Sequence, residues 1–338
     1  MWNSKRFLLI LLLPLGFSLL QCTNSSQKEE TAVEAAPDMD PELVELNKGV
    51  RRAPNDPERY YQRALYYMGK ENYDFALVDM RSIFNIDTNN ANYFYTAGEL
   101  FIKIGAFDQA DEVLRIATIK NPSLAKAHVK RGELAFYNRL YNSAMTWIND
   151  GLRADVNYAP GYFWKGMVYL EQNNAERAKS SFMTTIEQDP DFTEAYMQLA
   201  LLLSESQPTL AWQYLNNVIT LDGNHLEALY ARALLVQNQG YGDSAMVDYD
   251  KILSINPNHV DATYNKGYVH LLEKRFDDAV VWFSKAIEID PKNHRAFHNR
   301  GLSYELKGDS KMAAQDYKEA LKIEPGFDLA LKSLNRIK

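Results

Sequence analysis

Hydrophobic, small and turn-forming residues recur along this chain with a period of 34 residues. Pro257, Pro291 and Pro325 lie 34 positions apart, and each follows a short stretch of apolar and acidic residues. The spacing, shortened once to 33, continues backwards through six more positions: Gly223, Pro190, Val156, Pro122, Thr88 and Pro54. A constant period of this length indicates an array of structural repeats rather than one globular core.

Counted from these positions, the array contains eight repeats. They span residues 57–90, 91–124, 125–158, 159–192, 193–225, 226–259, 260–293 and 294–327. Position eight of each repeat is Ala or Gly, and position twenty is Ala if repeat five has a turn near Pro208 that is one residue short. Two helices approach closely only where both present small side chains, so each repeat is predicted to be an antiparallel helical hairpin.

Larger side chains at two further positions are predicted to fill the space around the small pair. These are position four (Tyr60, Phe94, Tyr162, Tyr196, Phe297) and position twenty-four (Leu114, Phe182, Tyr249, Phe283, Tyr317). Together with the prolines that end the second helices, the pattern resembles the tetratricopeptide repeat over residues 57–327. The resemblance implies an all-α fold, a right-handed α-solenoid superhelix of about eight helical hairpins.

Position seven is basic in six repeats, and sixteen residues later five of these have Asp or Trp. The pairs are Arg63 with Asp79, Arg232 with Asp248, Arg300 with Asp316, Arg131 with Trp147 and Lys266 with Trp282. We predict ion pairs and cation–π pairs within each hairpin. A groove that binds anions is the alternative interpretation of this basic column.

The segments on either side of the array complete the predicted domain organisation. Residues 41–56 are predicted to form an N-terminal capping helix, and residues 328–338 a C-terminal capping helix with a polar outer face. Residues 22–40 are polar, small and acidic, which predicts a disordered tether. Residues 1–21 are predicted to be a signal peptide.

The N-terminal segment also predicts a membrane anchor. Lys5 and Arg6 precede an apolar run over residues 7–20, and the sequence Leu19-Leu20-Gln21-Cys22 resembles the lipobox of bacterial lipoproteins. The resemblance implies that Cys22 is lipidated, with palmitate among its acyl chains. It also implies an outer-membrane location, because Thr23 stands where lipoproteins retained in the inner membrane have Asp. Both the periplasmic and the surface face of that membrane are left as alternatives. An ordinary cleaved signal or an uncleaved anchor is the alternative.

The net charge and the cysteine content of the chain bear on its partners and on its covalent structure. The 338 residues carry a formal net charge of −7 and include no basic block, which argues against nucleic acid as a ligand. Cys22 is the only cysteine, so no internal disulfide forms.

Catalytic and metal-binding motifs are absent from the sequence outside the repeat pattern. His225 and His259 occupy equivalent repeat positions, and His294 and His298 lie four residues apart without further ligands nearby. The sequence carries no phosphate-binding loop and no nucleophile motif. We therefore predict that the chain is not an enzyme and binds no metal or cofactor.

In the tetratricopeptide family the first helices line a concave groove, chiefly through positions two, five, six, nine and twelve or thirteen. Candidate groove residues are Tyr61, Tyr95, Phe163, Trp164, Met167, Tyr230, Tyr264 and Tyr268. Packing between neighbouring helices is the alternative role for the position-five aromatics. No repeat has the Lys and Asn of a carboxylate clamp, whereas Asn265 and Asn299 resemble an asparagine ladder that binds peptide backbone.

These features predict a protein–protein interaction scaffold on the bacterial cell envelope, which binds envelope proteins or peptides in its groove. A structural subunit of a secretion or pilus complex, similar to a pilotin, is one alternative. A glycan- or peptidoglycan-binding module is the other.

Overall fold

The computed structural model describes residues 40–337, and its regular secondary structure within this range is entirely α-helical. The predicted signal peptide, most of the predicted tether and Lys338 lie outside the described residues. The helices are α1 (Pro41–Arg52), α2 (Pro57–Gly69), α3 (Tyr73–Ile86), α4 (Ala91–Lys103), α5 (Phe107–Lys120), α6 (Ala125–Tyr137), α7 (Tyr141–Ala154), α8 (Ala159–Glu171), α9 (Ala175–Gln188), α10 (Thr193–Leu203), α11 (Pro208–Leu221), α12 (Leu226–Asn238), α13 (Gly242–Ile255), α14 (Val260–Leu272), α15 (Phe276–Ile289), α16 (His294–Leu306), α17 (Ser310–Ile323) and α18 (Asp328–Arg336).

Consecutive helices pack as hairpins, with α1 against α2 at one end and α18 against α17 at the other. The helices form two compact parts, residues 40–164 and the residues from Lys165 onwards, and the boundary falls within α8. Hydrophobic side chains fill the interior of each part, such as Leu100 and Leu114 in the first and Phe283 and Tyr317 in the second. The all-α hairpin architecture predicted from the period is confirmed.

The glycines at position eight explain how the two helices of a hairpin approach so closely. A Cβ atom on Gly166 would lie 2.5 Å from the Phe182 ring, and one on Gly98 would lie 2.6 Å from Leu114. Phe182 and Leu114 both occupy position twenty-four and are fully buried. The large residue of the second helix therefore occupies the space that a side chain at position eight would need.

The turn inside each hairpin depends on one backbone conformation at position fifteen. This residue has a positive φ between 56° and 87° in seven repeats, at Glu71, Gly105, Arg139, Asn173, Gly240, Lys274 and Gly308. Repeat five lacks it: α10 has 11 residues instead of 13, and residues 204–207 form the connection. The first helix of repeat five is thus two residues shorter than in the other repeats, and the connection after it is one residue longer. The repeat is therefore one residue shorter overall, and it lacks the residue with a left-handed backbone conformation.

The predicted arginine–aspartate pairs are confirmed, and each arginine also contacts the preceding helix. In the last repeat, Arg300 Nη2 lies 2.8 Å from Asp316 Oδ1, and its Nη1 donates to Ser284 Oγ in α15 at 3.1 Å. Arg63 and Arg232 form the same arrangement with Asp79 and Asp248. Each guanidinium therefore joins three helices.

The predicted cation–π pairs are also confirmed. The Arg131 guanidinium lies 3.7 Å from the centroid of the Trp147 ring, and Lys266 Nζ lies 3.9 Å from that of Trp282. Arg131 donates to Asp111 at 3.0 Å as well. The basic column is thus matched by partners inside the fold, as the structural interpretation predicts.

The prediction of a polar outer face for the C-terminal capping helix is wrong in part. Leu329 and Leu331 of α18 are 57% and 47% exposed, whereas Ala330, Ser333 and Leu334 face the preceding helices. Two leucines therefore lie on the open side of the terminal helix.

Candidate partner-binding surface

Several tyrosines at position five tie the first helix of one repeat to the next. The hydroxyls of Tyr230 and Tyr264 accept hydrogen bonds from Asn265 Nδ2 at 3.0 Å and from Asn299 Nδ2 at 2.7 Å. Tyr61 makes the equivalent bond with Thr96 Oγ1 at 2.9 Å. These hydroxyls, and the asparagine amides that resemble a ladder, are used between neighbouring repeats.

Tyr95 is also held within the fold. It is buried, its hydroxyl donates to Glu99 at 2.7 Å, and Lys126 Nζ lies 4.2 Å above its ring. Burial, with the Glu99 charge, raises the pKa of Tyr95 well above its usual range, so it stays protonated. The neighbouring Glu133 forms an ion pair with Lys130, at 2.7 Å.

Phe163 and Trp164 belong to an aromatic cluster in the first part of the chain. The Trp164 ring lies 5.4 Å, centroid to centroid, from each of Phe136, Tyr137 and Phe163. Tyr137, at position thirteen, is 66% exposed and was not among the predicted residues. It also borders a cavity of about 320 Å³ lined by Ile102, Phe107, Glu133, Leu134 and Asn138.

A larger cavity lies between the first helices of repeats seven and eight and the capping helix, with a volume of about 750 Å³. We call it the seven–eight cavity. It is lined by the predicted Tyr264 and Tyr268 together with Leu271, Leu272, Lys274, Phe276, Arg295, His298, Asn299, Leu302, Leu306, Phe327 and Leu329. Leu272, Leu306 and Leu329 are 58%, 52% and 57% exposed, so its mouth is apolar and open.

The polar groups at the floor of this cavity bind one another. His298 Nδ1 and Asn299 Oδ1 are 3.0 Å apart, and His298 Nε2 lies 3.3 Å from Ser333 Oγ in α18. Burial raises the pKa of Tyr264 to about 12, against the opposing charge of Arg295, and the phenol is neutral. The floor therefore has few hydrogen-bonding groups left for a ligand.

A second cavity in this part of the chain, the five–six cavity, lies between repeats five and six and measures about 700 Å³. The predicted Tyr230 lines it beside Met197, Leu201 and Leu234, and Glu205 and Glu227 are its charged residues. Met167, the remaining predicted residue, is half-buried on α8 and lies outside the three cavities.

Sequence reasoning missed the exposed leucines of the seven–eight cavity. Leu272 and Leu306 occupy position thirteen, which the family resemblance assigns to the groove. Tyr137, Leu272 and Leu306 are large and apolar at that position, where the other repeats have a glycine or a polar or charged residue, and this difference was the signal that could have found them. Leu329 could not be found in this way because it belongs to the capping helix.

Two histidines at equivalent repeat positions cap helices in the described part of the chain. His225 and His259 cap α12 and α14, where Nδ1 of each accepts a backbone N–H at 3.2 Å. Residues 40–337 contain no group of three or more His, Cys, Asp and Glu side chains that could hold a metal ion. Within the same range, no helix has the length and apolar character needed to span a bilayer.

Three of the eight repeats match models of a known protein family. Models of the tetratricopeptide repeat match residues 159–192, 260–293 and 294–327, which are repeats four, seven and eight. This chain contains tetratricopeptide repeats. Tetratricopeptide repeats act as scaffolds for protein interaction and are typically non-enzymatic.

Solved structures of other proteins share the helical fold of this chain. PilF of Pseudomonas aeruginosa is 20% identical, covers 60% of this chain and 92% of its own, and has a TM-score of 0.53. Cut9–Hcn1 of the APC/C is 14% identical, and the match covers 87% of this chain and 58% of the solved chain with a TM-score of 0.52. YrrB, described as a TPR protein with an unusual peptide-binding site, is 22% identical, and the match covers 67% of this chain and 99% of YrrB with a TM-score of 0.41. No curated protein matches the sequence.

Proposed function

We propose that this chain is a protein-interaction scaffold of the bacterial cell envelope, which holds partner proteins or peptides on the first helices of its repeats. The open seven–eight cavity carries the proposal. Its mouth exposes Leu272, Leu306 and Leu329 to solvent by more than half of their surface. Exposed apolar side chains grouped around a depression are typical of a surface that binds a peptide or a helix.

The envelope location is proposed from the N-terminal sequence. Lys5 and Arg6, the apolar run after them and Cys22 at its end support lipidation and export. An acyl chain on Cys22 would hold the repeats at a membrane, and the outer membrane is proposed because Thr23 follows the cysteine. Partners are then proteins or peptides of the envelope.

A crosslinking pulldown from membranes tests the binding role. We compare the full chain with the double variant Leu272→Asp, Leu306→Asp and with the control Val247→Asp, which changes a residue of α13 that is 67% exposed. All three substitutions lie at exposed positions, so the fold is expected to persist. Loss of a defined partner from the double variant alone supports the proposal, whereas the same partners on all three proteins contradict it.

A structural subunit held in a permanent complex through its end is the second candidate. The exposed Leu329 and Leu331 on the terminal helix favour it because a free solenoid end usually carries a polar face. Leu331→Asp leaves the seven–eight cavity unchanged. If this variant alone releases the complex from membranes, the end of the chain is the binding surface instead of the cavity.

A further inference from the structure

We infer that the seven–eight cavity binds an acidic segment of a partner protein that also presents bulky apolar side chains. This inference rests on the proposed function and specifies its partner chemistry. Tyr268, Leu302 and Leu306 line an apolar depression of about 750 Å³. A cavity of this size is within the range that takes several side chains or a small ligand, roughly 300–1,000 Å³.

The charges at the rim point to an acidic partner. Lys274 and Arg295 are the charged residues that line the cavity; both are exposed, and neither has an ion pair within residues 40–337. Nearby Glu273 pairs with Arg275 at 3.5 Å, and Asp277 pairs with Lys307. Two uncompensated cations thus border an apolar surface on a chain whose net charge is −7.

The five–six cavity has a similar volume and the opposite charge. Glu205 and Glu227 line it and no Lys or Arg does. The same chain therefore offers two apolar depressions that differ mainly in the sign of their rims. A partner segment with carboxylates is attracted to the first and repelled by the second, so charge selects between them.

The floor of the seven–eight cavity argues for apolar side chains over a sugar. Asn299 Nδ2 donates to the Tyr264 hydroxyl and Asn299 Oδ1 accepts from His298 Nδ1, while His298 Nε2 contacts Ser333 Oγ. Because these polar atoms already have partners, a hydroxylated ligand would lose hydrogen bonds to water without replacing them. Leucine or phenylalanine side chains have no such loss.

Fluorescence polarisation with two probe peptides tests the inference on the full chain. Both labelled peptides have about 14 residues, roughly 20 Å as a helix, with Leu and Phe on one face. The first carries Glu at the other positions and the second carries Lys. We measure each peptide against the wild type, the variant Lys274→Glu with Arg295→Glu, and the reciprocal variant Glu205→Lys with Glu227→Lys.

The Glu peptide is expected to bind the wild type more tightly than the Lys peptide. The Lys274→Glu, Arg295→Glu variant should weaken the Glu peptide by about tenfold or more, since two attractions at a partly exposed rim become repulsions. The Glu205→Lys, Glu227→Lys variant gives the five–six cavity a basic rim, so it should gain a second site for the Glu peptide there, while crosslinking from Leu306 should still detect peptide in the seven–eight cavity. All four substitutions lie at the rims, so circular dichroism should be unchanged.

The outcomes separate the inference from the proposed function. If both peptides bind the wild type equally, and the rim variants change neither, then the apolar surface binds partners without selecting acidic ones and the inference is wrong. If neither peptide binds, and the Leu272→Asp, Leu306→Asp variant also keeps every membrane partner, the proposed function fails with it.

Discussion

The arginine at position seven of a repeat contacts three helices at once. Arg300 forms a two-pronged pair with Asp316, at 2.8 Å for each oxygen, and reaches Ser284 in the preceding second helix. The Asp316 side chain is only 6% exposed. Its carboxylate is stable in the interior because the guanidinium satisfies both oxygens, and the Arg300 pKa is raised by the bond to Asp316.

We predict that Arg300→Met lowers the free energy of unfolding by roughly 3 kcal/mol, because it leaves a buried carboxylate without a partner. The control Lys322→Ala removes the exposed pair with Glu319 and should cost less than about 1 kcal/mol. Urea unfolding followed by circular dichroism measures both. The further change Asp316→Leu should restore part of the loss, and equal costs for the two single variants would contradict the argument.

His298 makes stability depend on pH. Burial among Tyr317, Phe327 and the capping helix lowers the pKa of His298 below its ordinary value of 6.5. The unfolded chain therefore binds more protons than the folded chain as the pH falls below 6.5, and the free energy of unfolding decreases through that window. Its contribution is fully present above the unfolded pKa.

We predict that His298→Gln reduces the loss of stability between about pH 7.5 and about pH 5.5, a range chosen above the titration of ordinary carboxyl groups. His128 and His270 also have lowered pKa values through burial, so part of the slope will persist. Urea midpoints at each pH, referred to the value at pH 7.5, measure the effect. An identical slope in the variant would exclude His298 as a contributor.

The hairpin is the element that the repeat period specifies, and its geometry depends on a small residue, Gly or Ala, at position eight. Gly166 on α8 leaves room for Phe182 of α9, and the left-handed residue at position fifteen reverses the chain between them. In repeat four that residue is Asn173, which tolerates this conformation better than most. Glu71, Arg139 and Lys274 adopt it at a cost that a glycine would avoid.

We predict that Gly166→Ala destabilises the protein by roughly 1–2 kcal/mol. Its Cβ would lie 2.5 Å from a fully buried ring, which costs about 1–3 kcal/mol, and the gain in helix propensity offsets up to about 1 kcal/mol. Gly69→Ala is the matched control because nothing lies within 4 Å of its Cβ position, so it should be neutral or stabilising. Thermal unfolding compares them, and a Gly166→Ala protein as stable as the control would contradict close packing at this position.

The whole chain combines a folded array with an N-terminal segment of different character. The cavities are properties of neighbouring repeats, since each is lined from two or more first helices. The segment that ends at Cys22 adds the proposed attachment to a membrane. A scaffold needs both, because attachment sets where the cavities meet their partners.

We predict that Cys22→Ala abolishes incorporation of labelled palmitate and moves the protein from the membrane to the soluble fraction. An acyl chain is the main attachment that the sequence offers, and residues 40–337 contain no helix able to span a membrane. Fractionation of cells that produce the wild type or the variant measures this. A variant that stays in the membrane fraction would favour an uncleaved anchor or attachment through a partner.

Much of the fold could be predicted from the order of residues because its contacts repeat along the chain. Arg300 meets Asp316 sixteen residues later on the adjoining helix, and Gly166 meets Phe182 at the same distance, so one period predicts all equivalent contacts. Local departures from the repeat were harder to predict from the sequence. The residue missing from repeat five was predicted in the turn, whereas the end of α10 is shortened.

The amino-acid sequence alone determines the repeat period, the hairpins and the ion pairs inside them, because these depend on residues a constant short distance apart. The tertiary structure decides which groove residues stay available. Tyr264 and Asn299 bind each other across repeats, while Leu306 and Leu329 remain exposed beside Arg295. That division depends on how neighbouring first helices pack against one another, and a column of residue types does not specify which side chains the packing covers.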